Sequence, residues 1–159
     1  PRVELGEAAT RADGGQGTGE TALGGRGIVS IGRGHAADAT GDGELDECVV
    51  FLVHLSLKFR HRHAQLRQVF ELVKRSAKPV IVAGDFNTFW GEHEMALFME
   101  ASGLRSANVA GLPSYPARKP RMELDFILYS KGIEIDAFVI PEVTFSDHRP
   151  LVCDFHVTG

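Results

Sequence analysis

Apolar positions along the chain fall into runs and periods that predict most of its elements. Residues 48–54 form a continuous apolar run closed by a histidine, the pattern of a strand buried on both faces. The run Val80-Ile81-Val82-Ala83 has the same character. Between them, over about 61–76, Leu66, Val69, Phe70 and Val73 recur at i, i+3, i+4 and i+7, which predicts one buried helix stripe. Pro79 closes that helical region. A second helix is predicted over 92–101, with Met95, Phe98 and Met99 inward and Gly103 as its stop. Residues 26–32 read as a short strand, 124–129 as another, 133–140 as a more loosely alternating one and 150–157 as the last. Strand, helix, strand, helix and then a run of strands predicts a layered α/β domain without internal repeats.

The intervening segments are polar or stiffened by proline. Residues 1–25 are glycine-rich and lack hydrophobic periodicity, so they read as a linker or disordered tail preceding a domain over 26–159. Residues 33–47 carry Asp38, Asp42, Glu44, Asp46 and Glu47. Their spacing does not fit a helix–loop–helix calcium loop, and they are read as a solvated hairpin connection. Residues 106–122 form a long loop containing Pro113, Pro116 and Pro120.

Composition adds bounds. With 159 residues, 43% hydrophobic and 24% charged, the chain suffices for one domain with a sizeable core. A net charge of −4 argues against a globally basic nucleic-acid binder, while leaving room for a local basic cleft. No apolar run approaches the ~20 residues of a membrane span, and no signal peptide is visible. Cys48 and Cys153 fall in predicted strands and read as buried thiols rather than a disulfide.

Chemistry concentrates where strands meet loops. Asp85 and Asn87 close a strand and sit two apart, so on extended backbone their side chains share a side. They can activate a water and hold a phosphate oxygen, or simply cap the local backbone in an Asx-type turn. Asp125 lies among residues that favour burial, in Leu124-Asp125-Phe126-Ile127-Leu128. A carboxylate there needs a partner: a histidine whose tautomer it fixes, or an arginine or backbone amides in a structural role. Asp147 and His148 follow Ser146 in a loop that feeds the last strand. His54 ends an apolar strand, where a lone histidine is more often a core residue than a catalytic one. His61 and His63, beside Arg60, Arg62 and Arg67, read as the solvated face of a helix.

Four motifs in order, strand–His54-Leu55, Gly84-Asp85-Phe86-Asn87, Leu124-Asp125-Phe126-Ile127 and Ser146-Asp147-His148-Arg149-Pro150-Leu151, resemble the endonuclease/exonuclease/phosphatase superfamily of deoxyribonuclease I-like enzymes. The resemblance covers about residues 48–157, and Arg62 and Gln65 fit its usual pattern. It implies a four-layer α/β sandwich with two central sheets. It also implies hydrolysis of a phosphoester with Mg²⁺ or Mn²⁺. By motif position, Asp85 would position or deprotonate the attacking water, and Asn87 would orient that water or a phosphate oxygen. Asp147 would serve the metal. His148, held by Asp125, would contact the scissile phosphate or act as general base, and His54 would donate to the phosphate or assist the leaving group.

The resemblance also implies an earlier asparagine-bearing strand and a glutamate metal ligand, neither of which has a counterpart before Asn87. The chain therefore reads as the C-terminal portion of that fold, lacking its N-terminal strands. The exposed sheet face would be covered by a complementing segment or by homo-oligomerisation. The substrate could be a nucleic acid, a phospholipid or a small phosphate ester. The proline-stiffened loop carries Tyr115, Arg118, Lys119 and Arg121, and Arg118 and Arg121 are the candidate substrate-binding residues. Trp90 lies near the proposed site in sequence and would stack on a base or anchor its loop. The alternative function is a truncated, non-catalytic member acting as a phosphate-binding or interaction module.

Overall fold

The computed structural model describes residues 2–5, 21–23, 27–35, 47–89 and 92–158, with side chains described over 48–89 and 93–158. Its elements, in chain order, begin with strands β1 (Arg2–Leu5), β2 (Thr21–Leu23), β3 (Gly27–His35) and β4 (Glu47–His54). Helix α1 (Phe59–Arg75), strand β5 (Val80–Asp85) and helix α2 (Glu92–Ser102) follow. Strands β6 (Arg105–Ser106), β7 (Asp125–Tyr129), β8 (Ile133–Val139) and β9 (Leu151–Val157) complete the chain. The six-stranded sheet has the order β2-β3-β4-β5-β7-β6, and the three-stranded sheet β1-β9-β8. The architecture is a mixed α/β one with two sheets and helices, as expected.

Period-two alternation splits the large sheet between two cores. Phe51, Val53 and Leu55, with Val80, Val82, Phe126 and Leu128, meet Leu66, Val69 and Val73 of α1 and Met95 and Phe98 of α2. The alternate residues Cys48, Ile81, Ala83 and Ile127 pack against Ile133, Leu151, Cys153 and Phe155 of the small sheet. Three layers result: helices, large sheet, small sheet. Strands β4 and β5 are parallel with α1 between them, so both their faces are covered. That is why they read as continuous apolar runs.

Cys48 and Cys153 are buried free thiols in the inter-sheet core. Burial pushes the Cys153 thiol up to about 11. At the end of α2, Gly103 takes φ 74° and its N–H donates to Met99 O at 2.9 Å, a left-handed stop.

Three expectations change. Arg62 is not on a solvated face: it is 2% exposed, because it lies one turn before Leu66 on the buried stripe of α1. Its Nε and Nη2 donate to Glu94 Oε2 at 3.0 and 2.9 Å, and its Nη1 donates to Ser56 O and Leu57 O. Within the stretch read as a linker, Arg2–Leu5 pairs antiparallel with β9 and Thr21–Leu23 with β3. Such pairing uses backbone groups and needs no extended hydrophobic period. Strand β3 also runs on to His35, against Cys48 and Glu47 of β4, three residues into the expected loop. The rest of 1–25, the acidic residues Asp38, Asp42, Glu44 and Asp46, and Trp90 lie outside the described residues.

Candidate active site

Three strands of the large sheet end at one place, and their register builds the site. His54 of β4 is the Cα partner of Asp85 of β5, and Asp85 is the Cα partner of Asp125 of β7. All three continue the rows that face the small sheet, since His54 alternates with Val53 and Leu55, and Asp85 and Asp125 are in phase with Ala83 and Ile127. The site therefore lies at the open end of the gap between the sheets. His54 Nε2 sits 3.6 Å from Asp85 Oδ2. The histidine is exposed there, rather than a core residue, because the strand ends at it.

Glycine makes the β4–β5 approach possible. Gly84 has φ +136°, and a Cβ at this position would fall 1.9 Å from Val53 O. The next residues alternate sharply. Phe86 points into the helix-side core, fully buried, with its ring 5.4 Å edge-on from Phe126, and its N–H donates to Leu124 O. Burial of such a ring is worth roughly 1.5–3 kcal/mol. It pins the turn from the side away from the site. Asn87 adopts φ 52°, a conformation asparagine tolerates. Its N–H donates to Asp85 Oδ1 at 2.8 Å, which is the Asx turn, and its Nδ2 donates to Leu55 O at 2.8 Å. The Asx geometry thus exists together with the site: Asp85 uses Oδ1 for the turn and presents Oδ2 to His54.

His148 comes from the loop entering β9. Its Nδ1 lies 2.7 Å from Asp125 Oδ2, so the histidine is the partner of the semi-buried carboxylate. That same Oδ2 accepts a hydrogen bond from Ser114 Oγ at 2.6 Å. The loop at 114–117 also clips the histidine's own loop: Ala117 N–H donates to Asp147 O, Arg149 N–H donates to Ser114 O, and Arg149 Nε donates to Ala117 O. The Tyr115 ring stands 4.8 Å from the His148 ring, and Phe89 meets Tyr115 edge-on at 5.8 Å. Ser114 is fully buried, and no local sequence signal marks it, since its role depends on a strand eleven residues away.

The electrostatics follow from this crowding. Burial, and next the charge of Asp125, raise the Asp85 carboxyl above its usual range. The hydrogen bond to Asp125 raises the His148 imidazole, and the charges of Asp125, Asp85 and Asp147 add to this against partial desolvation. Ligand atoms of Asp85, Asp125 and His148 all lie within 4.8 Å of one another. Of these, the two facing carboxylates offer the oxygen donors that a hard divalent cation takes, while the imidazole is bonded to Asp125. Asp147 is outside that group: its carboxylate is exposed and accepts from Ser146 Oγ at 3.2 Å. Arg118 and Arg121 are exposed and line, with Tyr115, Pro116, Lys119 and Met122, a recess of about 520 Å³. Tyr115 joins that recess to His148.

Comparison with known proteins places the chain in a family. The uncharacterized protein YbhP of Escherichia coli (strain K12) is 33% identical over 117 residues, covering 68% of this chain and 46% of YbhP. The chain thus spans about a third to a half of the length of the curated relatives it matches. An endonuclease/exonuclease/phosphatase family protein of Bacteroides thetaiotaomicron superposes with a TM-score of 0.65 at 19% identity, over 81% of this chain and 55% of that one. The mannosyl-6-phosphatase Bt3783 of the same species gives 0.59 at 17% identity, over 81% and 57%. These two share the fold. The family model described as Endonuclease/Exonuclease/phosphatase family matches residues 26–148, the span that holds His54, Asp85, Asn87, Asp125 and His148, and the chain belongs to that family.

Proposed function

We propose that this chain supplies the reacting side chains of a divalent-metal-dependent phosphoester hydrolase. The observation that carries the reading is the row His54–Asp85–Asp125 across three adjacent strands, with His148 bound to Asp125 at 2.7 Å. Phosphoester hydrolysis needs placement and charge neutralisation more than covalent help. Asp85 and Asp125, with His148 beside them and Asp147 next in the chain, are the residues that would hold Mg²⁺ or Mn²⁺, which supplies neutralisation of phosphate charge.

The remaining roles belong to the protein. Asp85 accepts hydrogen bonds at the mouth of the site and orients a water for attack on phosphorus. As the new O–P bond forms and the ester O–P bond breaks, the water proton passes to a basic side chain, and the leaving oxygen takes a proton. His54, exposed beside Asp85, donates that proton. His148 is held in one orientation by Asp125 and donates its other ring N–H to a phosphate oxygen, a role favoured by its raised pKa. Asn87 fixes Asp85 and Leu55 relative to each other. Arg118 and Arg121 bind substrate phosphate beside Tyr115. The family's description, Endonuclease/Exonuclease/phosphatase, supports phosphoester chemistry in general.

The test is hydrolysis of bis-p-nitrophenyl phosphate by the chain with Mg²⁺ or Mn²⁺. Turnover that requires the metal and falls by at least about 10²-fold in Asp85→Ala and His148→Ala supports the reading. A folded chain without metal-dependent turnover points to the phosphate-binding or interaction module instead.

A further inference from the structure

Exposed apolar side chains are concentrated at one end of the molecule. Leu57 lies in the turn from β4 into α1, just past His54, and Phe59 opens α1. Val109 and Leu112 follow β6, which runs antiparallel to β7 and so leads toward the end where Asp125 sits. Val139 pairs with Val152 at the start of β9, and Phe145 precedes His148 by three residues. Of the seven large apolar side chains that are exposed among the described residues, six stand on this catalytic edge; Leu97, on α2, is the exception. Val109, Phe145 and Leu57 are 90%, 74% and 66% exposed. The turns at the opposite end, 76–79 and 130–132, carry none.

Cations accompany them. Lys58, Arg60, Arg118, Lys119 and Arg121 are exposed on the same edge, and no described carboxylate pairs with them. The acids of this edge are differently placed: Asp85 and Asp125 are recessed, Glu94 and Glu123 accept from Arg62 and Asn108, Glu142 faces Arg149 at 3.5 Å, and Asp147 stands exposed next to His148. The segment 55–70 contains no Asp or Glu at all, in a chain whose net charge is −4.

We propose that the catalytic edge docks on an anionic lipid bilayer. Isolated apolar side chains interleaved with Lys and Arg are what an interfacial surface needs: the former enter the headgroup–acyl boundary and the latter meet anionic headgroups. A nucleic acid is a poorer match, because Leu57, Val109, Leu112 and Val139 are aliphatic and offer no stacking surface for bases. A second copy is also a poorer match, because the cations of two such edges would face each other. Docking this way turns the mouth of the inter-sheet gap toward the membrane. Given the hydrolase reading above, on which this second step rests, the substrate is a phosphoester carried at the bilayer surface.

The experiment is co-sedimentation of the chain with phosphatidylcholine vesicles, with and without phosphatidylglycerol, in the presence of EDTA. Competition by duplex and single-stranded DNA oligonucleotides is measured alongside. The expected result is binding at least about tenfold tighter to the anionic vesicles, lost in Leu57→Ser/Phe145→Ser and weakened in Lys58→Gln/Arg60→Gln. Leu57→Ser/Phe145→Ser should retain turnover of soluble bis-p-nitrophenyl phosphate, which also certifies that it folds; a circular dichroism melt certifies this if the wild type has no turnover. Vesicle binding without any turnover would uphold the docking and sink the hydrolase reading. The docking is overturned by absence of vesicle binding, by binding unaffected by the apolar substitutions, by tighter binding of either oligonucleotide, or by a concentration-dependent dimer that those substitutions abolish.

Discussion

Asp85 and Asp125 stand directly opposite each other on the antiparallel pair β5–β7, two carboxylates in one cross-strand position. Like charges so placed oppose folding, and this one pair is set at a strand end where a cation and a histidine can offset the cost. Burial first, and then the charge of Asp125, hold the Asp85 carboxyl above its usual range.

Asp85→Asn should therefore stabilise the metal-free protein at neutral pH while abolishing turnover. The sign is opposite to that of a salt-bridged aspartate. A carboxyl whose folded pKa lies above its unfolded one costs stability at high pH, and the cost fades as pH falls through the folded pKa toward the unfolded one. A gain of about 1 kcal/mol is expected in EDTA, measured by urea unfolding, and it should shrink on acidification. Added Mg²⁺ or Mn²⁺ should stabilise the wild type more than the variant, because only a native-state ligand shifts unfolding this way.

His148 gives the complementary pH profile. Its folded pKa is raised, chiefly by the hydrogen bond to Asp125. Its stabilising contribution is thus complete below the unfolded pKa and is lost as pH rises through the folded one. Asp125→Asn should remove this component, so that the stability difference between wild type and variant narrows over that rising-pH window. An NMR titration of the His148 ring protons checks the cause: its midpoint should fall in Asp125→Asn and in Ser114→Ala, which frees Oδ2 from a competing donor, it should rise or hold.

Much of this was legible in the sequence, and the exceptions share a cause. Strands β4 and β5 and the stripe Leu66, Val69, Val73 are buried by their neighbours on both sides, so their apolar periods report burial directly. The gathering of His54, Asp85, Asp125 and His148 follows the motif order, with the first three at strand ends of the large sheet and His148 just before β9 of the small one. The burial of Arg62 was not legible, because its partner Glu94 comes from another helix thirty-two residues on. Ser114 was equally silent: a serine in a proline-rich loop reveals nothing until β7 lies beneath it. The pairings of β1 and β2 are made by backbone groups, which leave little trace in side-chain pattern. His54 looked like a core residue because a strand's end cannot be located to one residue from an apolar run.

The Arg62–Glu94 pair should behave as a buried ion pair between helices. Their side chains are 3% and 10% exposed, and Glu94 Oε1 has no hydrogen-bond partner among the described residues. Glu94→Ala would strand a guanidinium and should cost about 3 kcal/mol. Arg62→Met/Glu94→Leu should recover most of that loss in thermal stability. It also removes the bonds from Nη1 to Ser56 O and Leu57 O that hold the β4–α1 turn, so turnover should stay low, because His54 sits just before that turn. Paired denaturation and turnover measurements on both variants separate the two contributions.

Gly84 is the position where the site and the fold make the same demand. Alanine there would bring a methyl against the Val53 carbonyl, a backbone atom in the centre of the large sheet, at a φ of +136° that alanine avoids. Neither strand can retreat without losing the β4–β5 register that sets His54 beside Asp85. Gly84→Ala should cost about 3 kcal/mol or more, which for a domain of this size lowers Tm by roughly 10 °C. Gly103→Ala provides the contrast. It also has a positive φ, but nothing lies within 4 Å of the added methyl, so it should cost only about 1 kcal/mol and leave turnover intact. Equal losses in the two variants would mean that backbone conformation, and not the close approach of β4 and β5, is what requires glycine at position 84.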